Sequence, residues 1–263
     1  MLTALNLLFE HVVKQPDLTT GVHPRIAQDP RFSPYFDNCI GALDGTHINA
    51  HPGLEAQAPF RNRHGYLSHN VLAACTFDLQ FSFVYPGWEG SANDQRVLQD
   101  AITRGGFRIP NGRFYLGDAG YVNTGTILTP FRRTRYHLRE VIAAGEVPET
   151  YQELFNMRHS TLRNEVERIF GVLKRRFPFL KTDMEYDLLT QTRVIFAVCA
   201  LHNYIRQRGV TEDDIFEDGL DEINEPEEAN EEETPLITRQ GMDTFRDQIA
   251  QDMFEQWQAY RGA

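Results

Sequence analysis

Four short β-rich runs, the first three consecutive, narrow most sharply what this chain can fold into. Residues 39–48 (CIGALDGTHI) carry a short apolar run ending in Asp-Gly, which suits a strand entering a turn. Residues 69–78 (HNVLAACTFD) and 81–88 (FSFVYPGW) are joined by Leu79-Gln80, with Asp78 just before them, as in a hairpin. A helix over 91–102 then has Val97, Leu98 and Ala101 as its apolar positions. Residues 113–116 (RFYL) form another short strand that stops at Gly117-Asp118-Ala119-Gly120, and 127–131 is a weaker fifth strand. Helices follow. Leu162, Val166, Ile169, Phe170, Leu173 and Phe177 make an apolar stripe within 150–180, closed by Pro178, and a second helix covers 188–208.

This order predicts an α/β protein: a mixed sheet flanked by helices. By analogy of element order it matches a ribonuclease-H-like fold, although several mixed α/β folds share that order. At 263 residues the chain can bury a sizeable core. No apolar run approaches the roughly 20 residues that a membrane span needs, so no membrane partner is expected. The opening MLTALNLLFEHVVKQ has no basic leader, and Asn6, Glu10 and His11 interrupt it, so an amphipathic helix over 2–15 is expected rather than a signal peptide. Cys39, Cys75 and Cys199 are odd in number and far apart, which argues against a disulfide framework and suits a reducing, intracellular setting.

The net charge of −11 is unevenly placed. Residues 209–263 hold 17 acidic and 3 basic residues, whereas 1–208 hold 20 acidic and 23 basic. The body is therefore slightly basic. Its stretch 158–181 carries seven Lys/Arg against Glu165 and Glu167, a strip that could follow a phosphate backbone or be a solvated helix face. Residues 211–235 are dominated by Glu and Asp and are expected to form a disordered linker. Beyond it, Met242, Phe245, Ile249, Met253, Trp257 and Tyr260 mark an amphipathic helix whose apolar face must dock on this body or on a second copy.

Four acidic residues could build a metal site. Asp44 and Asp118 stand at what should be equivalent strand ends, where ligands collect in open α/β sheets. Carboxylates there suit hard cations such as Mg²⁺ or Mn²⁺, and two such ions can activate water on a phosphodiester. Each residue also has an ordinary structural explanation. Asp44-Gly45 and Gly117-Asp118-Ala119-Gly120 are turn sequences, and Asp94, three after Ser91, fits a capping box. Glu165 and Glu167 lie on opposite flanks of the apolar stripe, about 100° from its centre, and helical geometry does not choose between them.

At these residues the sequence resembles the Harbinger (PIF-type) DDE transposases and the nucleases descended from them. Five ordered blocks carry the resemblance: CIGALDGTH (39–47), YPGWEGSANDQRVL (85–98), YLGDAGY (115–121), LFNMRHSTLRNEVERIFGVLKRRFP (154–178) and CALHNYI (199–205). The resemblance implies a ribonuclease-H-like nuclease that cleaves DNA with Mg²⁺ or Mn²⁺. It implies Asp44, Asp118 and Glu167 as the catalytic set, with Asp94 a further metal ligand, and so prefers Glu167 to Glu165. The block RNRHGYLSHN implies phosphate contacts for Arg61 and Arg63, and Arg163, Lys174, Arg175 and Arg176 are weaker DNA-binding candidates. His47 falls on the opposite strand face from Asp44, so a structural role is expected; His202-Asn203 should be buried and hydrogen-bonded, and Trp88 should belong to the core.

The expected organisation is an N-terminal helix and lead-in (1–38), a DDE-type nuclease domain (39–208), an acidic linker (209–236) and a terminal amphipathic helix (237–263). Transposases of this kind usually carry a DNA-binding helical region ahead of the catalytic body, and barely 40 residues precede Asp44 here. A separate Myb-like DNA-binding protein is therefore an expected partner, beside DNA and a homodimer copy, in the nucleus. The competing expectation is a domesticated transposase that serves as a non-catalytic nuclear scaffold.

Overall fold

A strand that is apolar on both faces belongs in the middle of a sheet, and β1 (Cys39–Asn49) takes that place. The computed structural model describes residues 1–134, 147–209 and 236–261. Its five strands are β1, β2 (Ser68–Cys75), β3 (Phe81–Glu89), β4 (Phe114–Leu116) and β5 (Ile127–Leu128), in the spatial order β3-β2-β1-β4-β5. β2 and β3 pair antiparallel, from His69 opposite Glu89 to Cys75 opposite Phe81. β1 and β4 pair parallel, with Ala42 opposite Leu116, and β5 continues parallel to β4. The helices are α1 (Leu2–Val12), α2 (Pro24–Ala27), α3 (Gln57–Phe60), α4 (Asp94–Thr103), α5 (Tyr151–Arg176), α6 (Leu188–Gln207) and α7 (Leu236–Arg261). This is a mixed sheet flanked by helices, an α/β architecture consistent with the ribonuclease-H-like expectation.

Two local readings change. The first helix ends at Val12, short of Gln15. The Asp-Gly of 44–45 is not a turn: β1 continues through it to Asn49.

The described residues form two compact units, and β1 and α5 contribute to both. The first comprises 1–16, 43–108 and 165–209. Its core gathers Val71, Leu72, Phe81 and Val84 of the hairpin, Val97 and Leu98 of α4, Val166, Ile169 and Leu173 of α5, and Ile195 and Val198 of α6. The hairpin turn places Leu79 at φ 58, in the left-handed region that a branched side chain rarely adopts. His202 Nε2 donates to the Leu79 carbonyl at 2.9 Å, and Arg176 Nη1 approaches the other ring nitrogen at 3.3 Å. Burial first, then the charges of Arg176 and Arg206, push the His202 pKa down to about 4, so the imidazole is neutral near pH 7. Asn203 answers the exposed polar edge of β3: its Oδ1 accepts from Phe81 N–H (2.8 Å), and its Nδ2 donates to the carbonyls of Phe81 (2.8 Å) and Val12 (3.0 Å). The buried, hydrogen-bonded roles expected of His202 and Asn203 are thus observed.

The second unit comprises 17–42, 109–134, 147–164 and 236–261. Here Asn156 repeats the same device, closing both backbone groups of Phe131 at 2.8 and 2.9 Å. His159 is fully buried and donates to the Leu128 carbonyl at 2.9 Å. In α7, Met242, Ile249 and Met253 are buried, Phe245 meets Phe114 edge to face, and the Arg246 guanidinium lies 4.4 Å from the Phe131 ring centroid. The terminal helix therefore docks on its own chain, although Phe245 and Tyr260 of the expected stripe stay exposed. The acidic segment 211–235 lies outside the described residues. All three cysteines are buried and free, and among the described residues no helix is long and apolar enough to cross a membrane.

Candidate metal centre

A glycine makes room for the Asp94 carboxylate. A Cβ built on Gly45 would lie 2.5 Å from Asp94 Oδ1 and 3.0 Å from Oδ2, so the Asp94 carboxylate rests on the bare Cα of the residue that follows Asp44. Gly45 has no left-handed φ; its lack of a side chain provides clearance rather than a turn. Asp94 is the first residue of α4, whose N-cap is Asn93, with Oδ1 accepting from Gln95 N–H at 2.9 Å. The expected Ser91–Asp94 capping box does not form. Asp94 is instead turned toward Asn70, whose Nδ2 donates to Asp94 Oδ1 at 2.6 Å and to the Ala92 carbonyl at 3.0 Å. Both acceptors require the amide nitrogen there, which fixes the orientation of the Asn70 amide. Its Oδ1 is buried and has no hydrogen-bond partner.

Asp44 is half-buried within β1, one oxygen accepting from Gly45 N–H at 2.9 Å. Asp118 belongs to the second unit and follows Leu116 by two residues, as Asp44 follows Leu116's register partner Ala42 by two. One Asp118 oxygen accepts from Gly120 N–H at 2.8 Å, so its local turn role is also present. In α5 the two glutamates have different environments. Glu165 is 1 % exposed and both its oxygens lie 3.1 Å from Arg168 Nη1, whereas Glu167 is half-buried. Glu165 is thereby accounted for by a structural ion pair. Among the described residues no group of three or more His, Cys, Asp or Glu is arranged to hold a metal ion.

The basic strip is narrower than its charge count implies. Arg158 is 6 % exposed and belongs to the interior, Arg168 serves Glu165, and Arg176 faces His202. Arg61, Arg63 and Arg175 are exposed, and Arg163 and Lys174 are half-buried. His47 Nδ1 lies 3.0 Å from Ser68 Oγ, matching its structural expectation. Burial, followed by the positive charges of Lys174, Arg63 and His64, pushes its pKa down to about 4. Trp88 departs from expectation: it is half-buried rather than core, with the Arg96 guanidinium 5.5 Å from its ring centroid.

The family of DDE superfamily endonucleases matches residues 43–203, well over half of the chain, and the matched span begins one residue before Asp44. This chain belongs to that family. It is also 28% identical over 186 residues to the ALP1-like protein of Arabidopsis thaliana, which covers 64% of this chain and 43% of that relative. The chain thus spans less than half the length of this relative. No solved structure matches it.

DDE superfamily endonucleases generally use divalent metals. In this member of the family the donor atoms shown around Asp94, its own carboxylate and the buried, unpartnered Asn70 Oδ1, are oxygens, the kind a hard cation takes. Sequence reasoning placed Asn70 within a family block but gave it no role; its contact with Asp94 spans 24 residues and has no periodic signature. The clearance at Gly45 was equally hidden, since a glycine after aspartate reads first as a turn.

Proposed function

We propose that the chain is a divalent-metal-dependent endonuclease of Harbinger (PIF-type) transposase descent that cuts DNA by attack of an activated water. Asp44, Asp118 and Glu167 form the catalytic set, and Asp94 joins them in holding Mg²⁺ or Mn²⁺. The observation that carries this reading is the family match over residues 43–203, which contains Asp44, Asp94, Asp118 and Glu167. A bound cation supplies Lewis acidity, lowering the pKa of water and offsetting charge on the leaving oxygen. The carboxylates hold and orient it, and Asn70 keeps Asp94 aimed by its hydrogen bond. In the cut, a bond forms from the water oxygen to phosphorus, one ester P–O bond breaks, and the released oxygen leaves as a hydroxyl. Arg61, Arg63, Arg163, Lys174, Arg175 and Arg176 supply cationic groups for the DNA backbone. A separate Myb-like protein selects the target in the nucleus, and a second copy of the chain pairs the two cuts.

The direct test is cleavage of supercoiled plasmid by the purified chain. Nicking is expected with Mg²⁺ or Mn²⁺ and none in EDTA; cleavage that persists in EDTA removes the mechanism. A folded protein that neither cuts DNA nor binds Mn²⁺ would instead be the scaffold form of the family.

Gly45→Ala probes the same site without replacing a ligand. The added methyl must displace the Asp94 carboxylate, the movable end of a side chain, so folding is expected to survive. Mn²⁺ affinity by calorimetry is expected to fall about 10- to 100-fold, the range seen when groups supporting a metal ligand are altered. Unchanged affinity would remove Asp94 from the metal set.

A further inference from the structure

The stretch from 56 to 77 contains no acidic residue, and in its middle lies RNRHGYL. The loop is short and well braced. Arg61 and Leu67 form an antiparallel bridge that closes its base. Within it, Asn62 N–H donates to the Tyr66 carbonyl at 3.0 Å and Gly65 N–H to the Asn62 carbonyl at 2.9 Å. Gly65 sits at φ 87, a conformation that permits the tight reversal, and Arg61 Nη1 donates to its carbonyl. Asn62 is buried and ties the loop to the sheet: its Nδ2 donates to Ser68 Oγ and its Oδ1 accepts from His64 N–H, both at 3.0 Å.

This frame displays two rings and a cation at the surface. Tyr66 is 41% exposed, and its ring lies within 16° of parallel to that of His64, with centroids 6.3 Å apart. His47 meets Tyr66 edge-on at 6.4 Å and fixes its tilt. Arg63 and His64 are exposed on the same loop, and Lys174 lies within electrostatic reach of His47. His47 follows Gly45 by two residues on β1, roughly 7 Å along the same strand face, and the Asp94 carboxylate rests on Gly45. The loop thus stands near Asp94, in the same unit.

We propose that the loop 61–67 is a stacking platform for an unpaired nucleotide next to the scissile phosphate, with the base on Tyr66 and His64 and the backbone against Arg63 and Lys174. The inference rests on the endonuclease reading above and adds the form of its substrate. Aromatic faces on a rigid loop that carries positive charge are the composition that takes up single-stranded nucleic acid. A paired base inside a duplex has both faces covered by its neighbours, so the rings can stack only where the strand is opened. Because the loop is already braced, little ordering cost opposes stacking.

The test uses the full chain and two fluorescein-labelled oligonucleotides of mixed sequence, one single-stranded and one duplex. Anisotropy is read in EDTA so that no strand is cut. Tyr66→Ala is expected to weaken single-strand binding about tenfold, within the range for losing one stacked base. Duplex affinity should change less than about twofold, and Tyr66→Phe should bind the single strand as the wild type does. An unchanged melting temperature shows that the exposed ring was not needed for folding. Equal losses on both oligonucleotides, no loss on either, or a wild type that does not bind the single strand each overturn the platform. Mg²⁺-dependent cleavage together with unchanged Tyr66→Ala binding would sink the platform and leave the endonuclease. The expected single-strand loss in a protein that neither cuts DNA nor binds Mn²⁺ would support the platform and remove the endonuclease.

Discussion

Asp44→Asn and Asp118→Asn are each expected to lower Mg²⁺-supported DNA cleavage by at least about a thousandfold while leaving the melting temperature nearly unchanged. A metal centre contributes several kcal/mol of transition-state stabilisation, and each 1.36 kcal/mol is a factor of ten in rate. Asparagine keeps the size of the side chain and one carbonyl-type oxygen. That oxygen can still accept from Gly45 N–H at position 44 and from Gly120 N–H at position 118, so the local backbone contacts survive. What is lost is the negative charge. Initial rates on plasmid across Mg²⁺ concentration, beside thermal melts of each variant, separate the two effects. Cleavage within about tenfold of wild type in either variant would remove that residue from the catalytic set. Glu165→Gln offers the contrast. It breaks the ion pair of the buried Glu165 with the partly exposed Arg168, so its main cost is to stability rather than to the metal response.

Asn203→Ala is expected to cost about 3–5 kcal/mol of folding free energy. The asparagine is fully buried and holds three backbone partners: Phe81 N–H, Phe81 C=O and Val12 C=O. Alanine reaches none of them, and each buried polar group left without a partner costs about 1–3 kcal/mol. The effect should appear as a lower urea midpoint with an unchanged slope, since the surface exposed on unfolding is the same. A loss under about 1 kcal/mol would mean that water enters and replaces the amide. A β3 edge left unclosed would also be open to pairing with another chain, so light scattering should rise as Asn203→Ala is warmed.

The hairpin of β2 and β3 was legible because everything it needs is local: β-rich runs, and turn residues a few positions apart. The apolar stripe of α5 was legible for the same reason, since its period follows from helix geometry alone. Leu162, Val166, Ile169, Phe170 and Leu173 are buried as that period requires.

The two glutamates of α5 show where this stops. Both flank the stripe by the same angle, and only packing makes Glu165 a buried partner of Arg168 while Glu167 remains half-buried. Arg158 shows it again. A run of cations looks like a surface strip in one dimension, yet the rotation of the helix carries this one inside.

By itself the sequence determined the order of strands and helices, the slightly basic body with its acidic tail, and the five blocks that mark a DDE superfamily endonuclease. Only the tertiary structure decided that Asp44 lies within a strand rather than at its turn. It also decided that Gly45 is a clearance for a carboxylate 49 residues further on, held there by Asn70. Periodicity and turn chemistry act over a few residues and leave a pattern along the chain. A contact between a strand and the start of a distant helix leaves none, because it depends on how the strands pair and where that helix is set down.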